Sequence, residues 1–498
     1  MKKSFFYLAS ALMMLSIYSC KQETPAPKPA PTPEPEKSKE CKLISFEVKG
    51  GSLEIKGELY ENDKVVELLY MPEDGEMLKD MTATVKISEK ATIAPDPATV
   101  KDFSKDQKFT ITAEDGETKA EWTVKPTLAK MKVEITEKMK KPLADIGIAN
   151  FAKFAGNAIA FCAADKFAGT NKVVYNLDGT KAGDLNLTGM VANPTIVTLA
   201  NDNKGRLIAA IGYKDEAYTE PCENANDIKS SNFWIWKDGW DKAPTKIYEN
   251  GNNVAMFMNV GGDFDNNMIM MAPSPARNGN FHTWVFENGV LQGSKWQWFK
   301  TGYKDEAPAL SQITAMQGSK AGENVCPMDG TKEGTFVWAH ALPKVTVAEG
   351  GWDRNGGSVV AKRKGIDGTE DTHLRGTLFP DALVEKEQHG GIWGFGNVEI
   401  CANIKGFTFN GIDYVAIAHV GWKAAYFTIP DMTNSTEGET KYLLRSQKIL
   451  DIVGSVPSVA YVYDKSKDTG HVLALISIGT DSNGKPHLVH YEITRTKI

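Results

Sequence analysis

Six tryptophans have the side-chain type and setting best suited to chemistry in this 498-residue chain. Trp240 follows an Asp238-Gly239 turn, and Trp352 sits in Gly350-Gly351-Trp352-Asp353-Arg354-Asn355-Gly356-Gly357. Trp393 lies in His389-Gly390-Gly391-Ile392-Trp393-Gly394-Phe395-Gly396, and Trp422 just beyond Val420-Gly421. Flanking glycines leave an indole little to pack against. Trp296-Gln297-Trp298 puts two rings on one side of an extended strand, because side chains alternate. An exposed indole is a flat, polarizable platform that covers the C–H face of a sugar ring while nearby amides and carboxylates bond the hydroxyls. At these six positions a stacking platform and ordinary packing both remain open. Trp234, Trp236, Trp284 and Trp338 fall within strand-like runs and are expected to pack, as is Trp122.

Catalytic patterns are absent from the sequence. There is no Gly-x-Ser-x-Gly elbow, no His-Glu-x-x-His, no phosphate-cradling Gly-x-x-x-x-Gly-Lys-Ser/Thr, and only a fragment of a calcium loop at Asp263-Phe264-Asp265-Asn266-Asn267. Asp263, behind Gly261-Gly262, reads as a turn cap. A glycosidase needs two converging carboxylates. Asp263, Asp353, Glu385 and Asp413 stand near expected strand ends, as do many others, so no catalytic residue is assigned. Seven arginines among 57 basic residues disfavour a carboxylate-binding arginine cluster. His340 and His419 follow apolar strands and read as edge residues. No metal-ligand spacing is present, and no cofactor is expected.

Cys20 offers a different chemistry. Lys2 and Lys3, an apolar stretch from Phe5 to Ile17, and Ile17-Tyr18-Ser19-Cys20 form a lipoprotein export signal, in which the thiol is acylated and becomes the mature N-terminus. The apolar stretch is too short to remain as a membrane span. Residues 21–40 then form a proline-rich linker that holds an extended, polyproline-like form. Contact with the membrane is therefore expected through the lipid alone, at an outer membrane and facing the cell exterior in the sense of Lys21-Gln22-Glu23, a short charged tag. A net charge of −6 offers no field for nucleic acid. The five remaining cysteines are odd in number and widely spaced, so buried free thiols are expected, with Cys222–Cys326 the one bridge considered.

The elements that must position these residues are strands. From residue 41 to 127, short alternating runs end in Phe109–Ala113, Glu114-Asp115-Gly116-Glu117 and Lys119–Val124, a hairpin with Asp-Gly at its turn. This is the pattern of an immunoglobulin-like β-sandwich. Residues 128–141 read as a join. From residue 142 to 498 a strand, a polar loop and a second strand recur about six times: Gly156–Ala163 with Val173–Gly179, Gly205–Ile211 with Phe233–Gly239, Asn267–Ala272 with Thr283–Gly289, Gly334–His340 with Ser358–Lys364, Gly411–His419 with Ala425–Pro430, and His471–Gly479 with His487–Ile493. Such repetition predicts an all-β chain whose larger part is a β-propeller of about six blades, with seven or eight blades or a large two-sheet sandwich as alternatives.

The run Ala94–Pro126, APDPATVKDFSKDQKFTITAEDGETKAEWTVKP, resembles the N-terminal immunoglobulin-like module of surface lipoproteins from starch-utilisation-type glycan uptake loci. The whole arrangement resembles a lipoprotein family known only as a domain of unknown function. The resemblance implies a spacer module, a polysaccharide or oligosaccharide partner, and an outer-membrane transporter complex alongside. The expected function is non-catalytic glycan binding, with a propeller glycoside hydrolase or lyase and an envelope protein-interaction scaffold as alternatives.

Overall fold

A computed structural model describes residues 36–143, 151–156, 160–164, 172–222, 227–250, 258–273, 280–298, 325–341, 344–346, 351–353, 358–367, 370–376, 400–420, 425–436, 439–450, 458–476 and 487–498. The chain is all-β, with several antiparallel sheets and, among the described residues, no α-helix. No helix there is long and apolar enough to cross a membrane. Cys20 and the proline-rich linker up to residue 35 lie outside the described residues. Two compact units are formed: Met1–Leu69 with Met77–Pro126, and Tyr70–Glu76 with Thr127–Ile498.

Among its described residues the smaller unit has eight strands: β1 (Leu43–Gly50), β2 (Leu53–Lys56), β3 (Glu58–Tyr60), β4 (Val65–Tyr70), β5 (Thr82–Ile87), β6 (Thr92–Ala94), β7 (Gln107–Thr112) and β8 (Lys119–Leu128). They form two sheets, ordered β2-β1-β5 and β3-β4-β8-β7-β6. Alternation sends Phe46 and Val48 from one sheet, and Phe109, Ile111, Trp122 and Val124 from the other, into one buried core. Phe46 and Phe109 meet there with ring centroids 5.5 Å apart. Trp122 is buried, as expected. In the β7–β8 hairpin only Gly116 has a positive φ. The Asp115 carboxylate accepts the N–H groups of Glu117 and Thr118, each at 2.9 Å, so the side chain organises a turn longer than the two-residue Asp-Gly type.

In the larger unit, β9 (Met131–Pro142) occupies the segment read as a join. Its partner is the last strand of the chain. Among the described residues, six four-stranded sheets follow. The first contains β10 (Phe151–Phe154), β11 (Ala160–Ala164), β12 (Lys172–Asn176) and β13 (Lys181–Asp184); the second β14 (Thr195–Asn201), β15 (Leu207–Tyr213), β16 (Ser230–Ile235) and β17 (Thr245–Asn250). The third contains β18 (Asn259–Gly262), β19 (Asn267–Pro273), β20 (Asn280–Glu287) and β21 (Val290–Trp298). The fourth contains β22 (Val325–Pro327), β23 (Thr335–Ala341), β26 (Ser358–Lys364) and β27 (Glu370–Gly376), with a small hairpin of β24 (Lys344–Thr346) and β25 (Gly351–Asp353) inserted. The fifth contains β28 (Ile400–Phe409), β29 (Ile412–Val420), β30 (Ala425–Pro430) and β31 (Tyr442–Leu450). The sixth joins β32 (Ser458–Asp464), β33 (Thr469–Ile476) and β34 (His487–Lys497) to β9, in the order β32-β33-β34-β9.

First strands of successive sheets touch one another, and β32 touches β10, so neighbour contacts run in a closed cycle. Apolar faces fill the spaces between sheets; Phe233 of the second and Trp284 of the third, for example, meet edge to face at 4.9 Å. The first strands are not purely apolar. Lys153 donates to the Val459 carbonyl at 2.7 Å, Asn201 to Tyr461 at 3.1 Å, Asn259 to Val325 at 3.1 Å and to Ile404 at 3.3 Å, and Lys405 to Val260 at 2.6 Å. Several of these bonds join sheets that are not neighbours in the cycle. A buried ammonium or amide is costly unless bonded, and here main-chain oxygens of other sheets bond it. Asn259→Ala, which removes two such bonds, is expected to lower unfolding stability by about 1–3 kcal/mol, read from the urea midpoint against wild type.

Candidate functional site

Antiparallel order fixes which connections share an end of each sheet. The turn between first and second strands lies at one end, and the link between second and third strands and the exit to the next sheet lie at the other. Four turns of the first kind, in the second, third, fourth and sixth sheets, are short and held by carboxylates. Asp202 Oδ1 accepts the N–H groups of Lys204 and Arg206, both at 3.0 Å; Asp263 accepts that of Asp265 at 3.1 Å; Asp329 those of Thr331 and Thr335; and Asp464 that of Ser466 at 3.0 Å. Asp263 is therefore a turn cap, as its setting suggested. Arg206 closes on Asp202 at 2.6 Å and on Asp265 at 2.6 Å. Desolvation raises the Asp202 pKa. This carboxylate serves the fold. Asp413 is likewise engaged, by Lys362 at 3.1 Å and Thr408 at 2.8 Å.

The long connections leave from the other end. They include residues 299–324 and 377–399 between sheets and 342–357 within the fourth sheet, and the last of these carries the β24–β25 hairpin. Trp352 is the central residue of β25, opposite Val345. Trp393 falls in the 377–399 connection and Trp422 in the β29–β30 connection; both lie outside the described residues. Trp296 and Trp298 are in β21 at register positions opposite His282 and Asn280, and so share one face of that strand. Trp240 is different. It belongs to a β16–β17 connection at the short-turn end, is half-buried, and packs over Gly183, where an added Cβ would come within 2.8 Å of the indole.

Trp234, Trp284 and Trp338 in their strands, and Trp236 just past the end of β16, are buried, as expected. Trp236 donates to the Asn186 carbonyl at 2.8 Å and Trp234 to Asn232 at 2.8 Å. No disulfide joins Cys41, Cys162, Cys222 or Cys326, so the Cys222–Cys326 bridge is not formed. Burial pushes the Cys162 thiol up to about 12 and the Cys222 thiol to about 11, which leaves neither a nucleophile at neutral pH.

Two further features escaped sequence reasoning. A cavity of about 640 Å³ opens between the third and fourth sheets, edged by Lys295, Lys332, Lys364, Glu333 and Asp367, with no aromatic in its lining. It lies beside short turns, away from the long connections. Among the described residues, one group, His471, His490 and Glu492, brings together three side chains of metal-ligating type. Burial, then the neighbouring His471, holds His490 at about 4. Nineteen positions separate the two histidines in the chain. Only the β33–β34 pairing brings them together.

A scan of family models matches residues 43–125 to the family described as "SGBP, N-terminal", the surface glycan-binding protein N-terminal domain. No curated protein matches the chain by sequence. Among solved structures, a DUF4623 family protein from Bacteroides eggerthii is similar at 12% identity and a TM-score of 0.43, covering 92% of this chain and 99% of that one. A protein of unknown function from Bacteroides thetaiotaomicron is similar at 10% identity and a TM-score of 0.32, covering 90% of each chain. The sialidase of Trypanosoma rangeli is similar at 10% identity and a TM-score of 0.33, covering 73% of this chain and 52% of that one. Likenesses at this level carry no functional inference.

The strand bearing the Trp284 core also contains a pH-sensitive group. His282 is buried and stacked on Trp284 with centroids 4.2 Å apart, and desolvation lowers its pKa to about 4. The unfolded imidazole titrates near 6.5, so between about pH 6.5 and 4 the unfolded chain binds the extra proton and stability falls with falling pH. Denaturant midpoints taken at pH 7.5 and 5 are expected to drop less in His282→Gln than in wild type.

Proposed function

We propose that this chain is a non-catalytic, lipid-anchored cell-surface protein that binds polysaccharide or oligosaccharide for uptake. In this reading Cys20 carries the lipid at the outer membrane, the proline-rich linker and an immunoglobulin-like sandwich act as spacers, and the six sheets are the blades of a β-propeller. An outer-membrane transporter complex is the partner that receives the glycan. The observation that carries the reading is the match of residues 43–125 to the N-terminal family of surface glycan-binding proteins.

The length asymmetry of the connections supports a binding face at the long-connection end of the larger unit. Binding residues concentrate on loops held by a rigid scaffold, and the connections that contain Trp352, Trp393 and Trp422 all belong to the long-connection end. Trp298 is the last residue of β21, at that same end. Trp296 stands two positions before it. Trp240 is proposed as a weaker contributor, since its ring already covers Gly183. Binding is preferred to hydrolysis or lyase chemistry because the inner strands present Lys153, Asn201, Asn259 and Lys405 where a catalytic propeller would need paired carboxylates.

Affinity electrophoresis of the purified protein through plant, host-mucin and microbial glycans is expected to retard wild type in at least one gel. Trp352→Ala and Trp393→Ala should each weaken that retention about tenfold or more, the order expected for truncating an aromatic anchor. Absence of retardation in every gel, or release of new reducing ends or unsaturated products from those glycans, would remove the reading. In cells fed a labelled fatty acid, Cys20→Ala is expected to abolish label incorporation and envelope retention.

A further inference from the structure

We infer that His471, His490 and Glu492 form a binding site for a divalent transition metal of the Zn²⁺ class, a staple on the sheet that joins the two ends of the larger unit. The three converge through strand geometry. His471 of β33 stands directly opposite Glu492 of β34, and His490 is two residues before Glu492, so all three side chains share one face. That face also carries Leu473, Leu475 and Leu488, which pack against Phe154 and Tyr175 of the first sheet.

The distances suit one small ion. His471 Nδ1 and His490 Nε2 are 3.0 Å apart, His471 Nδ1 and Glu492 Oε1 are 4.0 Å apart, and all three ligand atoms lie within 4.8 Å of one another. Metal–ligand bonds of about 2.0–2.2 Å in tetrahedral geometry need ligand separations of roughly 3.3–3.5 Å. The observed separations straddle that range. A modest turn of Glu492 brings the third ligand in. Both imidazoles are only 2% exposed, whereas Glu492 is partly open, which leaves an entry path from the strand edge.

A supporting contact is already in place. Lys138 of β9 binds the other carboxylate oxygen, Oε2, at 3.0 Å, which leaves Oε1 available to the histidines. Two imidazoles and one carboxylate favour zinc and its neighbours over calcium or magnesium, which prefer all-oxygen sites. Three protein ligands leave a fourth position for water. Because β34 pairs with β9, an ion held by β33 and β34 and backed by Lys138 ties three strands of the closing sheet. The competing arrangement is a plain hydrogen bond between the two rings.

Untagged full-length protein, stripped with a chelator and titrated with Zn²⁺ against a competing indicator, is expected to bind one ion per chain. Its melting temperature should rise with Zn²⁺, and substitution with Co²⁺ should give the visible absorption of a low-coordinate site. Glu492→Gln, a partly exposed isosteric change whose folding is verified by circular dichroism, should weaken binding about tenfold or more. His490→Gln should abolish it. No saturable one-to-one binding by wild type, or equal affinity in wild type and both variants, would overturn the inference and leave the ring–ring hydrogen bond as the arrangement. Neither outcome bears on glycan retention.

Discussion

Everything in the larger unit depends on the pairing of β9 with β34. These strands come from opposite ends of the unit yet run in register from Met131 opposite Lys497 to Pro142 opposite His487, with one bulge at His490/Tyr491. Without β9 the sixth sheet would lose its outer strand and expose the polar edge of β34, a template for wrong pairing. Without β34 the cycle of sheets would have two loose ends, and each sheet buries its faces only against neighbours. Pairing the ends incurs the loop-closure entropy of the whole unit, but that cost grows only slowly with length. The ladder and the interlocking apolar faces offset it.

Closure in turn constrains the centre. Six first strands brought side by side must satisfy the polar groups they carry inward, and Lys153, Asn201, Asn259 and Lys405 do so on carbonyl oxygens of other sheets. The centre therefore acts as cross-bracing. The proposed binding face lies instead at the end of the sheets where chain length is unconstrained by tight carboxylate-capped turns. The same division explains why Asp202, Asp263 and Asp413 are engaged in turns and ion pairs while glycine-flanked tryptophans occur in the long connections.

The sequence made the middle of each sheet legible. β11 with β12, β15 with β16, β19 with β20, β23 with β26, β29 with β30 and β33 with β34 coincide with the recurring apolar pairs, because these strands are buried on both faces and read as continuous hydrophobic runs. First and outer strands were obscured. A lysine or asparagine within FAKF (residues 151–154) or at the end of TIVTLAN (residues 195–201) breaks the apolar signal, since its partner is a carbonyl far away in sequence. β9 was missed because its exposed alternation of lysine and glutamate looks like a solvated linker until β34 is beside it. The strand tryptophans were legible from their settings; the convergence of His471 with His490 was not, because only the β33–β34 register creates it.

The central claim is that the long-connection end of the larger unit is the glycan-binding face. Hydrogen–deuterium exchange of the protein with and without a retained oligosaccharide tests it most directly. The account predicts slowed exchange confined to residues 342–357, 377–399 and 421–424 and the end of β21, with the turns at 202–206, 263–266, 328–334 and 465–468 unchanged. Protection centred on those short turns, or on the smaller unit alone, would contradict it.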